Sequence, residues 1–230
     1  MKNKEISYEI IDFSGETNVQ FRTSVDPGSY IPTHWHRAIE IIYMQEGSLD
    51  VTVESESFTI HEGDCILVNG NVLHSTKCTA PNTAILLQIP LDFMAKYIPD
   101  LGQLLFLWDY RTDDPVKKTK LMMLKTTLEQ LQVINDIRPD GYLLRFNSLI
   151  FELLFQLYHN FSVKVFHQNI NQRQKEMDRL DPVLNYIAEH YKEPISLDEI
   201  ADIACLQTGY FCRFFKKKMG VTFLEYQNEY

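Results

Sequence analysis

The sequence predicts a multidomain α+β protein with three successive parts: an antiparallel β-barrel or jelly roll, a helical hairpin, and an all-α helix-turn-helix. Three observations support this prediction. Short apolar segments separated by turn residues continue to about residue 90, apolar residues then recur at helical spacing to residue 161, and two short amphipathic helices follow at 196–220. The predicted boundaries are 1–95, 96–175 and 176–230.

The first part is predicted to consist of short strands, because apolar runs alternate with turn signals such as Pro27-Gly28 and Asn69-Gly70. Regularly spaced short strands are typical of a small antiparallel barrel or jelly roll. The predicted strands are Ile6–Phe13, Val19–Val25, Ile39–Met44, Leu49–Val53, Phe58–Ile60, Cys65–Val68, Val72–Thr76 and Ala84–Ile89.

The second part is predicted to form two helices. Leucines recur at helical spacing between Pro115 and Asp136, and leucines and Phe146 do so between Gly141 and Phe161. Both helices are apolar over a broad face, which suits a hairpin that packs on the barrel and on a partner chain, or one that only caps the barrel.

The third part begins beyond a polar segment, His167 to Met177, that predicts a linker or an exposed helix start. Asp181-Pro182 then has the N-cap and first-turn proline pattern that opens a helix, which we expect to continue through Tyr191.

The helix-turn-helix prediction rests on capping and periodicity. Ser196 followed by Glu199 is a capping-box pattern that starts a first helix, and a second helix is predicted from about Thr208. On that second helix the phenylalanines form a buried face and the cations face solvent, while Gly220 is expected to end it. This layout places a second helix in a DNA major groove.

Composition narrows the classes of protein. An apolar fraction of 45% over 230 residues is that of a folded globular chain. No apolar run approaches the roughly 18 residues of a membrane span and the start lacks a signal-peptide core, so we expect a cytoplasmic protein. The four cysteines include no Cys-x-x-Cys pair, which disfavours a disulfide framework. A net charge of −9 argues against general nucleic-acid coating, although four cations cluster at 213–218.

Histidines and a carboxylate form a possible ligand set in the barrel. His34, His36 and Glu40 share even numbering, so their side chains leave one face if this segment is a single strand, whereas Trp35 would leave the opposite face. His74 lies in another predicted strand. Imidazoles with a carboxylate are suitable ligands for a divalent transition metal.

The string Leu-Asp-Glu-Ile-Ala-Asp-Ile-Ala from Leu197, followed by Tyr-Phe-x-Arg-x-Phe-Lys-Lys, closely resembles the first helix-turn-helix of AraC-type (arabinose regulator) transcription factors. The resemblance implies DNA as a partner, a small-molecule effector, and homodimerisation through the helical hairpin. Such DNA-binding domains carry two of these units in about 100 residues. The chain reaches just past the first, so the resemblance implies an incomplete domain.

Aligned on that pattern, Gly209, Cys212 and Arg213 correspond to base-facing positions, with Gln207 and Thr208 at the helix start. Arg213 could contact guanine or support the backbone. Lys216 and Lys217 correspond to phosphate contacts. Cys205 stands where many relatives have glycine, so either this residue has a positive φ or the turn differs slightly.

The segment from Gly28 through His34, His36 and Glu40 to Gly47 is similar to the first signature of the cupin superfamily, and His74 matches the histidine of the second. The second signature is otherwise altered, with Asn69-Gly70-Asn71 and Cys78 at variant positions. The resemblance implies a cupin-like barrel whose four candidate ligands hold an effector, a sugar among the candidates, or a divalent transition metal.

The predicted function is a ligand-responsive, sequence-specific DNA-binding transcription regulator with no catalytic residues. Two alternatives remain open. One is a metal-dependent cupin enzyme that uses His34, His36, Glu40 and His74. The other is a sensor that does not bind DNA and acts by dimerising.

Overall fold

A computed structural model describes residues 7–13, 15–165, 179–190, 195–219 and 221–229. The described residues form two compact units. One comprises residues 10–31 and 36–165, and the other comprises the described residues of 1–9, 32–35 and 166–230. The predicted linker at 167–177 lies outside the described residues, so its conformation is not described.

The described strands are β1 Ser7–Tyr8, β2 Gln20–Asp26, β3 Tyr30–Trp35, β4 Ala38–Glu46, β5 Ser48–Val53, β6 Glu56–His61, β7 Cys65–Val68, β8 His74–Lys77, β9 Asn82–Pro90, β10 Leu104–Phe106 and β11 Ser162–Lys164. The described helices are α1 Leu91–Ala95, α2 Pro115–Ile137, α3 Tyr142–Phe161, α4 Leu180–His190, α5 Leu197–Ile203, α6 Thr208–Met219 and α7 Phe223–Glu229. Among them, no helix combines the length and apolarity needed to cross a membrane.

Nine of the described strands form the jelly-roll sandwich that the sequence predicts. One sheet has the order β1-β3-β8-β5-β6 and the other has the order β2-β9-β4-β7. Strand β4 pairs antiparallel with both β7 and β9, whereas β1 pairs parallel with β3. A two-stranded sheet of β10 and β11 lies outside the sandwich. The predicted α+β class is confirmed.

Three expectations about the strands were wrong. Strand β3, which follows the predicted turn Pro27-Gly28, was not predicted, and the predicted strand Ile6–Phe13 is reduced to β1, with Ile6 outside the described residues. The segment containing His34, His36 and Glu40 is also not one strand. The chain turns at His36 and Arg37, which places β3 and β4 in different sheets.

The alternation of side chains along β4 explains how the sandwich is covered. Ile39 and Ile41 belong to a core shared with the buried leucines of α2 and α3, whereas Ile42 and Met44 belong to the core that also contains Val51 from the opposite sheet. The four-stranded sheet is therefore buried on both faces. Gly47, which follows the last residue of β4, has a φ of 79°, and an added Cβ would lie 2.8 Å from the Pro81 carbonyl oxygen.

The helical hairpin was predicted nearly to the residue. Asp114 caps α2 by accepting bonds from the backbone N–H groups of Val116 and Lys117. The buried side of each helix packs on the sheet, which is the capping role left open by the sequence. On the other side Met122 and Phe155 remain exposed, at 61% and 57%.

The second unit contains the helix-turn-helix. The Ser196 hydroxyl accepts a bond from the Glu199 N–H and starts α5, while the Glu199 carboxylate accepts a bond from the Tyr186 hydroxyl. Cys205 has a φ of 54°, so of the two alternatives left open for this turn the structure has the positive φ. Helix α4 begins at Leu180, one residue before the predicted N-cap, and the Asp181 side chain lies outside the described residues, as do Tyr191 and Gly220.

Candidate functional site

A group of buried polar side chains lies within the sandwich. Glu40 is on β4, His74 begins β8 and Gln88 is on β9, while His36 lies in the turn between β3 and β4. All four are buried, at 5%, 1%, 4% and 1% exposure. Polar side chains this deep require partners.

Glu40 supplies those partners. Its Oε2 lies 3.2 Å from His36 Nε2 and accepts a 2.7 Å bond from the Gln88 amide, and its Oε1 lies 3.9 Å from His74 Nε2. The His36 and His74 rings meet edge to face at 4.9 Å. The carboxylate is thus the centre of the group.

The backbone fixes the tautomer of each imidazole. Nδ1 of His36 lies 3.0 Å from the Ala38 carbonyl, and Nδ1 of His74 lies 2.9 Å from the Val72 carbonyl. A carbonyl oxygen only accepts, so Nδ1 carries the proton. Nδ1 of His34 has the same relation to the Pro32 carbonyl, at 2.8 Å. In the neutral ring the lone pair is therefore on Nε2, the atom through which such a ring would bind a metal.

The charge state of Glu40 follows from these contacts. Burial alone would raise the pKa of this carboxyl, but the hydrogen bond with His36, the charges of His74 and His36 and the Gln88 amide together lower the pKa from 4.5 to about 2. Glu40 is an anion throughout the ordinary pH range. A carboxylate oxygen facing Nε2 of His36 needs a proton or a metal cation on that nitrogen.

Three of the four predicted ligands can offer atoms to one ion. His34, His36 and His74 each offer one nitrogen, and these lie within 4.8 Å of one another. His34 is on β3, is 7% exposed, and its Nε2 lies 3.5 Å from a carboxylate oxygen of Glu9. The sequence reasoning missed Gln88. The signal that could have indicated it is a polar residue inside the apolar strand Ala84–Ile89.

The second candidate site is the exposed side of α6. Gly209, Arg213, Lys216 and Lys217 are exposed there, and Gln207, just before the helix, is exposed too. Thr208 and Cys212 are half-buried, and the Thr208 hydroxyl donates to Asp198 on α5 at 2.7 Å. The opposite side is formed by Phe211, Phe214 and Phe215. The predicted reading positions thus lie along the polar side of one helix.

Sequence reasoning missed Tyr210, which follows Gly209 on α6 and is 50% exposed. Its ring stacks on that of Phe214 at 6.4 Å. Gly209 has no heavy atom within 4 Å of an added Cβ, so a larger side chain would fit there.

Comparisons with known proteins match two segments of the chain to family models. Residues 21–90 match the family described as "Cupin domain", and residues 187–228 match "Bacterial regulatory helix-turn-helix proteins, AraC family". The chain therefore carries a cupin domain and an AraC-type helix-turn-helix, as the two resemblances implied.

Curated relatives are similar over most of the chain. One is "Uncharacterized HTH-type transcriptional regulator YdeC" of Bacillus subtilis, 24% identical over 100% of this chain and 82% of that protein. Another is "Probable transcriptional regulator LumQ" of Photobacterium leiognathi, 27% identical over 82% of this chain and 68% of that protein. Among solved structures, an RmlC-like cupin from Shewanella frigidimarina is 26% identical over 33% of this chain and 70% of that one, with a TM-score of 0.30.

Proposed function

We propose that this chain, which carries a cupin domain and an AraC-type helix-turn-helix, is a ligand-responsive, sequence-specific DNA-binding transcription regulator. The observation that carries the proposal is the polar side of α6, where cations and small residues occupy the exposed positions of the second helix of a helix-turn-helix. The cupin domain is the sensor, and a small molecule is its effector. A cytoplasmic location suits this role.

The roles on α6 follow from side-chain chemistry. Arg213 has the side chain that can make a bidentate contact to guanine, a contact worth about 1–3 kcal/mol of discrimination. Lys216 and Lys217 neutralise phosphates, while Gln207 and Gly209 lie at the end of the helix that approaches base edges. Thr208 and Cys212, half-buried, define how closely the helix approaches.

The buried polar group is the proposed effector site. The Nε2 atoms of His34, His36 and His74, together with a Glu40 oxygen, fit a divalent transition metal, because with Nδ1 protonated at its backbone contact each ring would bind an ion through Nε2. The three imidazole nitrogens lie within 4.8 Å of one another, whereas nitrogens around a tetrahedral ion lie roughly 3.4 Å apart, so binding would draw the rings inward. The metal would supply a Lewis acid for an effector oxygen.

A second candidate function rests on the same group. Three imidazoles and a carboxylate could hold a metal for catalysis in a cupin enzyme. Metal analysis of the purified protein, with His36→Asn as the ligand variant, separates the two. Stoichiometric metal lost in the variant together with substrate turnover would favour the enzyme, whereas DNA binding without turnover favours the regulator.

We propose that the exposed side of the hairpin forms a homodimer. An open groove of about 480 Å³ between α2 and α3 is lined by Met122 and Met123, which are 61% and 50% exposed. A second copy would cover these apolar side chains. Sedimentation of wild-type protein and Met122→Glu checks this. A monomeric wild type would contradict it. Dimers that do not bind DNA would favour the other alternative, a sensor that acts by dimerising.

DNA binding is tested by fluorescence anisotropy with fragments tiling the DNA upstream of the coding sequence, at one fixed salt concentration. We expect at least one fragment to bind at least tenfold more tightly than its shuffled version, and Arg213→Ala to reduce this ratio. Equal binding of all fragments and their shuffled versions would refute a sequence-specific regulator.

A further inference from the structure

Trp35 connects a strand of the sandwich to the helix-turn-helix within a single compact unit. Its side chain is fully buried, and its indole N–H donates a 2.9 Å bond to the Lys218 carbonyl in the last turn of α6. Tyr8 packs edge to face on Trp35 at 4.7 Å and on Tyr226 of α7 at 6.1 Å. The aromatic cluster Tyr8–Trp35–Tyr226 thus contacts both α6 and α7.

The bond to Lys218 has a specific role for the helix. The last four carbonyls of an α-helix lack intrahelical partners, and Lys218 is the penultimate residue of α6. The indole therefore donates to one of these terminal carbonyls, and it stabilises the turn that contains Lys217. A side chain distant in sequence acts as the C-terminal cap of this helix.

The same strand carries one of the candidate effector ligands. In the parallel ladder Ser7 pairs with His34 and Tyr8 pairs with Trp35, and the Glu9 N–H donates to the Trp35 carbonyl at 2.9 Å. A Glu9 carboxylate oxygen also lies 3.5 Å from His34 Nε2. His34 and Trp35 are therefore held by the same short strand, β1.

His34 and Trp35 are consecutive residues, so a shift of the backbone at His34 must also move Trp35. Their side chains leave opposite faces of the strand. The end of β3 thus carries the candidate effector ligand His34 on one face and Trp35, the cap of α6, on the other. Because β1 pairs with both residues, a shift of His34 can reach Trp35 within these two strands.

We propose that Trp35 is a positioning residue that couples His34 to the C-terminal turn of α6, so that occupancy of the effector site changes how the DNA-reading helix is held. This inference rests on the proposed function. It assigns a coupling role to a residue that contacts neither DNA nor effector.

Amide hydrogen exchange of residues 217–219 tests the structural part without DNA. Trp35→Phe keeps an aromatic ring at this position but removes the indole N–H, and we expect exchange in this turn to quicken about two- to twelvefold, the factor for a net hydrogen bond of about 0.5–1.5 kcal/mol. Trp108→Phe is the matched control, because its indole N–H donates to the Cys65 carbonyl at 2.7 Å in the other unit. The control should leave residues 217–219 unchanged.

A double-mutant cycle tests the coupling. Introduced into wild-type protein, His34→Asn should change the exchange rate at 217–219 by at least about twofold. Introduced into Trp35→Phe, it should change the logarithm of that rate by less than half as much. Introduced into Trp108→Phe, it should have its full effect. If Trp35→Phe does not fold, Tyr8→Leu takes its place. Equal effects of His34→Asn in all backgrounds, or unchanged exchange in Trp35→Phe, would overturn the proposal. Because no DNA is present, this failure is separate from failure to bind DNA.

Discussion

The substitution Glu40→Gln offers the most quantitative prediction. It keeps the size of the side chain and removes the charge at the centre of the buried polar group. The folded-state pKa of about 2 lies below the ordinary 4.5, a difference of about 2.5 units. At 1.36 kcal/mol per unit, the ionised carboxylate contributes about 3 kcal/mol to the free energy of unfolding.

The depressed pKa fixes the direction of the pH dependence. The contribution is fully present above pH 4.5, where the unfolded carboxyl is ionised, and is lost as pH falls from 4.5 towards 2. At pH 5 we therefore expect the free energy of unfolding of Glu40→Gln to be about 3 kcal/mol lower than that of wild type. As pH falls from 4.5 to 2, the stability of wild type should decrease more than that of the variant.

The assay is urea unfolding followed by circular dichroism at several pH values, with a chelator present to keep metal out of the comparison. Glu56→Gln, which removes an exposed carboxylate on β6, is the control and should change stability by no more than about 0.5 kcal/mol. The reasoning would be refuted if Glu40→Gln were as stable as wild type at pH 5 and showed the same acid dependence.

The remaining predictions concern backbone conformation, capping and DNA. Gly47→Ala should destabilise by more than about 1 kcal/mol, because φ is 79° and a carbonyl oxygen lies 2.8 Å from the added Cβ, whereas Gly209→Ala, with open space, should stabilise by up to about 1 kcal/mol in urea unfolding. Ser196→Ala should cost about 1 kcal/mol of stability through loss of the α5 cap. The double variant Lys216→Gln, Lys217→Gln should reduce the slope of log K for DNA binding against log salt concentration by about 1.8, and an unchanged slope would exclude phosphate contacts by these two lysines.

Most of the helical structure could be predicted because its signals are local. The Ser196 cap, the spacing of phenylalanines along α6 and the turn at Cys205 each depend on residues within a few positions of one another. Strand β3 could not be predicted in the same way. Its partners β1 and β8 are set by pairing across the sheet, while Pro27-Gly28, just before it, is locally typical of a turn.

The candidate site was predicted in its residues but not in its geometry. Resemblance to a known signature selected His34, His36, Glu40 and His74, yet the argument from even numbering assumed one strand where the chain turns between two sheets. The bond from Trp35 to Lys218, across 183 residues, has no local signal at all. Such contacts follow from tertiary packing, and only the structure gives them.

The most direct test of a sequence-specific regulator is in vitro selection from a random-sequence DNA library at fixed salt, with wild-type protein and Arg213→Ala in parallel. We predict that wild-type protein enriches a defined sequence that binds at least about a thousandfold more tightly than the starting library, and that Arg213→Ala weakens or alters it. If wild-type protein enriches no sequence, the chain does not read DNA and the central claim is wrong.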